Sequence, residues 1–269
     1  MNKSHLAIAA ALAAAAAGAA PAMASAASTC TYDPASKVAT VVTDDSGGSR
    51  LVLASNNGYI TVDRNRLCVS PGFDFATPTN TDQIVVNAVL TGTSDGVTVD
   101  ESGGPLGPGA SPESDNHPEV ETAVRVAPGL YTRPVLEVIG SAGNDVYRVG
   151  GPGRINLNND DDTDPAVVGT PASVLLYGGN GDDFLSGFGY GNFLDSTVSV
   201  SIGGDDGDDR IFGSHKQDFL NGGRGNDSFR TEGDSGNQDL LVGGDGFDSG
   251  ILDPSDKTDG LIESVGISG

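Results

Sequence analysis

A glycine- and aspartate-rich motif that recurs with a period of nine residues dominates the second half of the sequence. GGNGDD occupies residues 178–183, GGRGND residues 222–227 and GGDGFD residues 243–248. In the full nine-residue unit the motif is followed by a short x-U-x segment, where U is a large apolar residue such as Leu185. A unit this short cannot enclose its own core, so each copy is expected to form one turn and one short strand of a stacked structure.

Further copies depart from the motif at one or more positions. Gly187 begins GFGYGNFLD, Gly204 begins GDDGDDRIF, Gly213 begins GSHKQDFLN and Gly233 begins GDSGNQDLL, which is one residue longer. An isolated copy, GSAGNDVYR, begins upstream at Gly140. A flexible Gly-rich linker would show neither a fixed phase nor a recurrent apolar residue, so the pattern indicates ordered structure.

The residue types in these turns predict a cation site. Glycine lets carbonyl groups converge without a clash from Cβ, and aspartate supplies a hard anionic oxygen. Ca²⁺ prefers about six to eight oxygen ligands, which is more than one turn provides. Each ion is therefore expected between two neighbouring turns, brought together by parallel strands stacked ~4.8 Å apart.

The overall charge agrees with a bound cation. The chain has 37 Asp and Glu residues against 14 Lys and Arg residues, which gives a formal net charge of -23. Such an excess opposes compaction unless cations neutralise it. It also excludes nucleic acid as a natural partner, because phosphates are recognised by basic surfaces.

In these repeats the chain resembles the RTX, or haemolysin-type, calcium-binding repeat proteins secreted by bacteria. The clear match spans residues 178–252, with a weaker copy at 140–148. The resemblance implies an all-β fold, namely a right-handed parallel β-roll or β-helix solenoid with several Ca²⁺ ions in its turns. It also implies two nonapeptides per coil, so that the turns of alternate repeats share one edge.

This alternation places the best-preserved turns on one edge and the degenerate turns on the other, so Ca²⁺ is predicted mainly on the first. The metal-site residues predicted there are Gly178, Gly179, Gly181, Asp183, Gly204, Gly207, Asp209, Gly222, Gly223, Gly225, Asp227, Gly243, Gly244, Gly246 and Asp248. Asp218 and Asp239 would hold a weaker ion on the second edge. The turn that begins at Gly187 lacks the Asp and is expected to hold none.

The N-terminus is typical of a secretory signal peptide, predicted over residues 1–26. An apolar run at residues 6–17 precedes A-x-A motifs that end at Ala24 and Ala26. That run is too short to span a bilayer, and no later stretch approaches its length, so a secreted, extracellular protein is expected with no transmembrane segment in the mature chain. Cys30 and Cys68 are expected to form a disulfide, as an even cysteine count in an exported chain suggests.

Short β-branched runs predict strands upstream of the repeats and between them. They lie at residues 38–42, 50–54, 59–62, 83–90, 96–100, 122–126, 134–139, 146–149, 173–177 and 198–202. Residues 27–139 are expected to form an N-terminal β region, either separate or continuous with the roll, in which residues 101–119 form a flexible loop. Residues 140–253 would form the calcium-binding β-roll, and residues 254–269 a C-terminal tail.

The function expected from these features is Ca²⁺ binding coupled to folding, in a structural or surface-interaction role toward a cell surface or an extracellular polymer. The sequence shows no catalytic constellation, since H-E-x-x-H is absent and the G-x-S-x-G match at 92–96 leads into a strand pattern. The alternative is a secreted β-helical enzyme that acts on polysaccharide, with the repeats as a stabilising module. Tyr177, Phe184, Phe219 and Phe229, which lie at or beside U, are interpreted mainly as core residues rather than as a carbohydrate platform.

Overall fold

A computed structural model describes most of the chain after the predicted signal peptide. The described residues are 28–43, 50–63, 65–88, 95–111, 120–126, 135–151, 154–157, 164–167, 173–188, 198–231 and 237–267. Strands account for all of their regular secondary structure, and no helix occurs among them. The predicted signal peptide at 1–26 lies outside these residues.

The strands are short, as the β-branched runs predict. In chain order they are β1 Ser28–Asp33, β2 Val38–Thr43, β3 Arg50–Asn56, β4 Tyr59–Val62, β5 Arg66–Leu67, β6 Gln83–Ala88, β7 Gly96–Asp100, β8 Glu121–Val126, β9 Val135–Ile139, β10 Val146–Gly150, β11 Arg154–Asn156, β12 Pro165–Val167, β13 Ser173–Asn180, β14 Phe184–Ser186, β15 Val200–Asp206, β16 Arg210–Phe212, β17 Phe219–Arg224, β18 Ser228–Arg230, β19 Leu240–Asp245, β20 Asp248–Leu252, β21 Lys257–Thr258 and β22 Ile262–Ile267.

These strands form two sheets between which the repeat region alternates. The 12-stranded sheet has the order β1-β2-β6-β8-β12-β11-β10-β14-β16-β18-β20-β22, and the 10-stranded sheet the order β21-β19-β17-β15-β13-β9-β7-β3-β4-β5. From β13 onward each strand pairs in parallel with the strand two elements later in the chain. The result is the all-β, parallel-strand architecture that the repeats predict.

Both sheets continue across residue 139 without a break. In the 10-stranded sheet β7 pairs in parallel with β9, and β9 pairs in parallel with β13, the first strand of the repeats. In the other sheet β2, β6 and β8 are parallel neighbours, while β1–β2 and β10–β11 are antiparallel pairs. The pair β3–β4 in the 10-stranded sheet is also antiparallel. The strand pairing of the N-terminal region is therefore continuous with that of the repeats.

The core lies between the sheets and is filled by the apolar residue of each repeat. Leu185, Ile211 and Phe229 stack in register through β14, β16 and β18, and each is 1% exposed or less. Leu220 and Leu241 occupy the equivalent place on the opposite sheet and are also fully buried. The position of a residue within the nine-residue unit therefore determines whether its side chain belongs to this column in the core. Leu194 falls outside the described residues.

Two segments differ from their predicted character. Residues 101–111 pack against the body instead of forming an exposed loop, because buried Glu101 accepts a hydrogen bond from Tyr147 Oη at 2.9 Å and Asp82 accepts the N–H groups of Ala110 and Ser111 at 2.9 and 2.7 Å. The rest of that loop, 112–119, lies outside the described residues. The predicted C-terminal tail is not a tail, since β21 and β22 within residues 254–269 extend both sheets.

The predicted disulfide is confirmed. Cys30 in β1 and Cys68, just after β5, are bonded across a sequence separation of 38. The bridge therefore ties one end of the 12-stranded sheet to one end of the 10-stranded sheet.

The aromatic residues near U do not all point inward, which corrects the prediction for three of four. Phe229 is the U residue itself and is buried, whereas Tyr177, Phe184 and Phe219 are each one residue away from a buried leucine and are half-exposed. Successive residues of a strand face opposite sides, so these three side chains lie on the outer faces of the sheets.

Candidate metal centre

Four turns of one kind connect the 10-stranded sheet to the 12-stranded sheet, and together we call them the first edge. They comprise residues 178–183, 204–209, 222–227 and 243–248. Their second and fourth positions have positive φ, for example 115° at Gly223 and 130° at Gly225. Glycine adopts this region without a steric cost, which explains the spacing of glycines in the motif.

The first glycine of each turn faces two oxygen atoms. A Cβ on Gly222 would collide with Oδ2 of Asp227 in the same turn and with the carbonyl oxygen of Gly243 in the next turn. The same relation holds at Gly178 and Gly204, and at Gly243 the second oxygen is the carbonyl of Leu261. A carboxylate from one turn and a carbonyl from its neighbour therefore converge beside each first glycine.

The carboxylates of the first edge form a ladder along the stack. Asp209 Oδ1 accepts the backbone N–H of Asp183 at 2.8 Å, and Asp227 Oδ1 accepts that of Asp209 at 2.9 Å. Asp248 Oδ1 in turn accepts the N–H of Asp227 at 2.9 Å. One oxygen of each carboxylate thus fixes the register of adjacent turns.

The other oxygen of each carboxylate, Oδ2, has no hydrogen-bond partner among the described residues. Asp183, Asp209, Asp227 and Asp248 are 2% exposed or less, and their Oδ2 atoms are buried without a hydrogen-bond partner among the described residues. An ionised carboxylate is costly to bury unless a charge or donor compensates it. Four buried oxygens in equivalent positions are what a series of cations would complete, so the residues present fit Ca²⁺.

Burial also changes the titration of these groups. It raises the pKa of Asp183 and of Asp227 to about 7 and that of Asp209 to about 6. The pKa of Asp248 is raised for the same reason. In the absence of a cation, a raised pKa favours the protonated form of Asp183 and Asp227 near neutral pH.

Side chains alone do not make a complete metal site here. Within the part of the chain that the structure describes, no three His, Cys, Asp or Glu side chains converge to hold a metal ion. A cation on the first edge would therefore need backbone carbonyl oxygens, and those of Gly204, Gly222 and Gly243 lie against the first glycine of the preceding turn.

The opposite side of the stack, which we call the second edge, carries the turn at 213–218 and residues 237–239 and 253–256. Its ladder is of the same kind, because Asp218 Oδ1 accepts the N–H of Val200 at 2.8 Å and Asp239 Oδ1 accepts that of Asp218 at 2.8 Å. Asp218 differs from the first-edge residues in its Oδ2, which accepts the N–H of Ser214. Both oxygens of Asp218 are thus occupied within the protein.

The structure brings the predicted first-edge residues together in four equivalent turns and places Asp218 and Asp239 in the second edge, as the alternation of repeats predicts. The assignment of these residues as ligands stays a prediction. Of the turn expected to be empty, Gly187 and Phe188 are described, whereas residues 189–197 are not.

Sequence reasoning missed residues that extend the ladders at their ends. Asp145, in the isolated upstream copy, donates its N–H to Asp183 Oδ1 at 2.7 Å, and Glu263 Oε2 accepts the N–H of Asp248 at 2.7 Å. On the second edge, Asp256 Oδ1 accepts the N–H of Asp239 at 3.1 Å. The copy at Gly140 signalled Asp145, but no repeat motif surrounds Asp256 or Glu263.

Comparison with known proteins agrees with this geometry. The family model for the RTX calcium-binding nonapeptide repeat matches in four copies, over residues 167–188 and 203–237. The chain therefore carries RTX calcium-binding repeats, and the turn at 243–248 has their backbone geometry although it lies beyond the matched residues. The search of curated proteins returned no match. Among the described residues, no helix is long and apolar enough to cross a membrane.

Proposed function

We propose that this protein is a secreted calcium-binding protein whose repeats fold into a right-handed β-roll as several Ca²⁺ ions enter the turns of the first edge. The observation that carries the proposal is the set of four buried Oδ2 atoms, on Asp183, Asp209, Asp227 and Asp248, that have no donor among the described residues. The RTX repeats found by comparison are a calcium-binding unit, which supports Ca²⁺ as the cation.

Each ion would be held between adjacent turns by one carboxylate and by backbone carbonyls. At Gly222, for example, Asp227 would supply the carboxylate and Gly243 a carbonyl oxygen, because both atoms meet there. When bound, Ca²⁺ supplies positive charge to buried carboxylates that otherwise repel one another.

Folding would be coupled to binding because the repeat is built around these charges. Without a cation, closing the first edge means burying carboxylates stacked one above another, in a chain of net charge -23. Binding to the folded state alone stabilises that state by mass action, so the fold is expected to depend on free Ca²⁺. A signal peptide would deliver the chain to the calcium-rich exterior.

The role proposed for the folded protein is structural or adhesive rather than catalytic. In the first edge, Oδ1 of a buried carboxylate accepts an N–H from the adjacent turn, and Oδ2 lies beside the first glycine of its own turn. This arrangement suits a row of bound ions.

The experiment that tests the proposal follows the mature protein by circular dichroism in excess EDTA and then during titration with Ca²⁺, with Mg²⁺ as the control ion. Calorimetry would give the number of ions bound. We expect a gain of β signal with Ca²⁺ alone, and lower stoichiometry in Asp227→Asn.

The matched control is Asp245→Asn, which removes the same charge from an exposed side chain of the first edge. A β spectrum unaffected by EDTA, or equal stoichiometry in Asp227→Asn and the unmodified protein, would contradict the proposal.

A further inference from the structure

The outer face of the 12-stranded sheet carries an alternation of arginine and phenylalanine that calcium binding does not explain. In the register of the strands, Phe184 on β14 lies beside Arg210 on β16, and Phe212 on β16 lies beside Arg230 on β18. Arg148 on β10 adds its guanidinium, 5.4 Å from the centre of the Phe184 ring. We call these five residues the arginine–phenylalanine face.

This face gathers arginine residues in a strongly negative molecule. The outward positions of β14, β16, β18 and β20 that reach the surface carry Phe184, Arg210, Phe212, Ser228, Arg230, Ser249 and Ile251, and none of these is acidic. The chain has only 14 Lys and Arg residues in total, against 37 acidic residues. Three of these basic residues, Arg148, Arg210 and Arg230, lie on this one strip.

The strip is exposed and presents aromatic surface. Arg210 and Arg230 are exposed, and Phe184 and Phe212 are half-exposed. The two phenylalanine rings lie 5.0 Å apart between centroids and are tilted by 33°, so they form one platform across two strands. The opposite outer face of the repeats differs, because Leu175, Phe219 and Leu240 make it largely apolar, with Lys257 beside Leu240 at its end.

We propose that the arginine–phenylalanine face binds an acidic polysaccharide, with Arg210 and Arg230 contacting its anionic groups and Phe184 and Phe212 packing against its sugar rings. This proposal builds on the binding role proposed above, but the face is made by strands and not by the calcium turns. It identifies a partner class for that role.

The dimensions of the strip favour a single extended chain. The strands that make it are three residues long, so the strip is about 10 Å wide, and it runs across strands spaced ~4.8 Å apart. Exposed acidic residues of the first edge, such as Asp182 and Asp208, flank it. A nucleic-acid duplex or a membrane surface is broader and would meet these carboxylates, whereas one glycan chain can lie along the strip beside them.

The test is calorimetric titration of the whole mature protein in Ca²⁺ with short oligogalacturonate, which carries carboxylates, and with dextran sulfate, which carries sulfates. Neutral dextran and vesicles of anionic phospholipid are the comparison ligands. We expect binding to one or both acidic glycans that weakens with added salt, and neither comparison ligand should compete.

The decisive variant is Arg210→Gln combined with Arg230→Gln. We expect it to lose about tenfold in affinity, since two exposed charge contacts are removed. The matched control is Arg224→Gln, which removes a positive charge from an exposed turn residue paired with Asp206 and should bind as the unmodified protein does. Calcium-dependent circular dichroism of each variant reports folding separately, so failure of the glycan proposal is distinguishable from failure of the calcium proposal.

Equal affinity of the double variant and the unmodified protein would overturn the proposal, because it would mean that Ca²⁺ or another surface bridges the glycan. Tighter binding of anionic vesicles, or equal binding of neutral dextran, would also overturn it. If the double variant does not fold, the salt dependence of the unmodified protein and single Arg210→Gln decide the question in the same way.

Discussion

The two edges of the repeat region share one backbone ladder, and Asp218 of the second edge differs from the first-edge aspartates in its second carboxylate oxygen. On both edges an aspartate Oδ1 accepts the N–H of the aspartate in the preceding coil, as between Asp209 and Asp227 or between Asp218 and Asp239. On the first edge the Oδ2 of Asp227 has no donor among the described residues, whereas on the second edge Ser214 donates its N–H to the Oδ2 of Asp218. One oxygen of a first-edge aspartate therefore sets the register of adjacent turns, and the other is the one that the proposed ion would use.

The largest effect is expected from glycine substitutions, which directly test the close contacts beside the first glycine of each turn. In Gly222→Ala the new methyl would overlap the carbonyl oxygen of Gly243 and Oδ2 of Asp227. Since one of these atoms belongs to the backbone of the next coil, we expect a loss of about 3 kcal/mol or more in the calcium-loaded protein, measured by urea denaturation.

The second edge supplies the matched control for this substitution. A Cβ on Gly213 would lie 3.2 Å from Asp218 Oδ2 and 3.4 Å from Asp239 Oδ2, both on side chains that can shift. Gly213→Ala should therefore cost clearly less than Gly222→Ala, and equal losses would show that the two edges do not differ as described.

The next effect concerns the two kinds of aspartate in the calcium-loaded protein. Asp218→Asn should destabilise the protein by about 2 kcal/mol without lowering the number of ions bound, because Asp218 accepts N–H groups through both oxygens and an amide NH₂ cannot replace one of them. Asp227→Asn should lower the number of ions bound, since its Oδ2 has no such donor among the described residues. Urea denaturation and calorimetry of both variants in Ca²⁺ measure the contrast, and an unchanged number of bound ions in Asp227→Asn would contradict it.

A pH dependence of opposite sign is expected with and without calcium. The pKa of Asp183 and Asp227 is raised by burial to about 7 in the folded protein, from 3.8. The folded state thus holds protons that the unfolded state releases, so this contribution to the stability of the calcium-free fold is complete below pH ~4 and is lost as pH rises through 7.

Calcium requires the ionised carboxylates, so its apparent affinity should rise over the same pH interval. The β signal in circular dichroism in EDTA and calcium titration, each at pH 5, 6, 7 and 8, would measure the two trends. A calcium affinity that is constant from pH 5 to 8 would remove the first-edge aspartates from the ligand set.

The smallest effect is expected where the motif itself is imperfect. Asp205 stands at a position that is glycine in the other first-edge turns, and its φ is 74°. Asp205→Gly should stabilise the calcium-loaded protein by about 1 kcal/mol, because it relieves a left-handed backbone. Thermal denaturation in Ca²⁺ measures this gain, and a clear loss of stability would indicate that the Asp205 side chain itself contributes to the turn.

The sequence predicted the repeat region well because phase alone determines which residues face the core. Leu185, Ile211 and Phe229 are buried in one column, as their position in the unit requires. Strands at 59–62 and 96–100 also have the bounds that β-branched runs predict. The grouping of Asp183, Asp209, Asp227 and Asp248 on one edge followed from alternation.

What the sequence could not predict depends on contacts between distant segments. The ladder, in which one oxygen of each aspartate accepts an N–H from the adjacent coil, has no signature in a nine-residue motif. Glu263 completes it from a strand without any repeat, and residues 101–111 pack because of Tyr147 and Asp82. The outward direction of Phe184 was missed because this residue is next to U in the sequence, whereas successive side chains of a strand point to opposite faces.

The continuity of the sheets across residue 139 has a kinetic consequence. Nucleating a stack is slow, because the first coil must close its loops before any neighbour stabilises it. Here β9 offers a ready edge to β13, in a region held by the disulfide between Cys30 and Cys68. Once that region has formed, the repeats need only elongate an existing template, so assembly should proceed coil by coil from the N-terminal side as calcium becomes available.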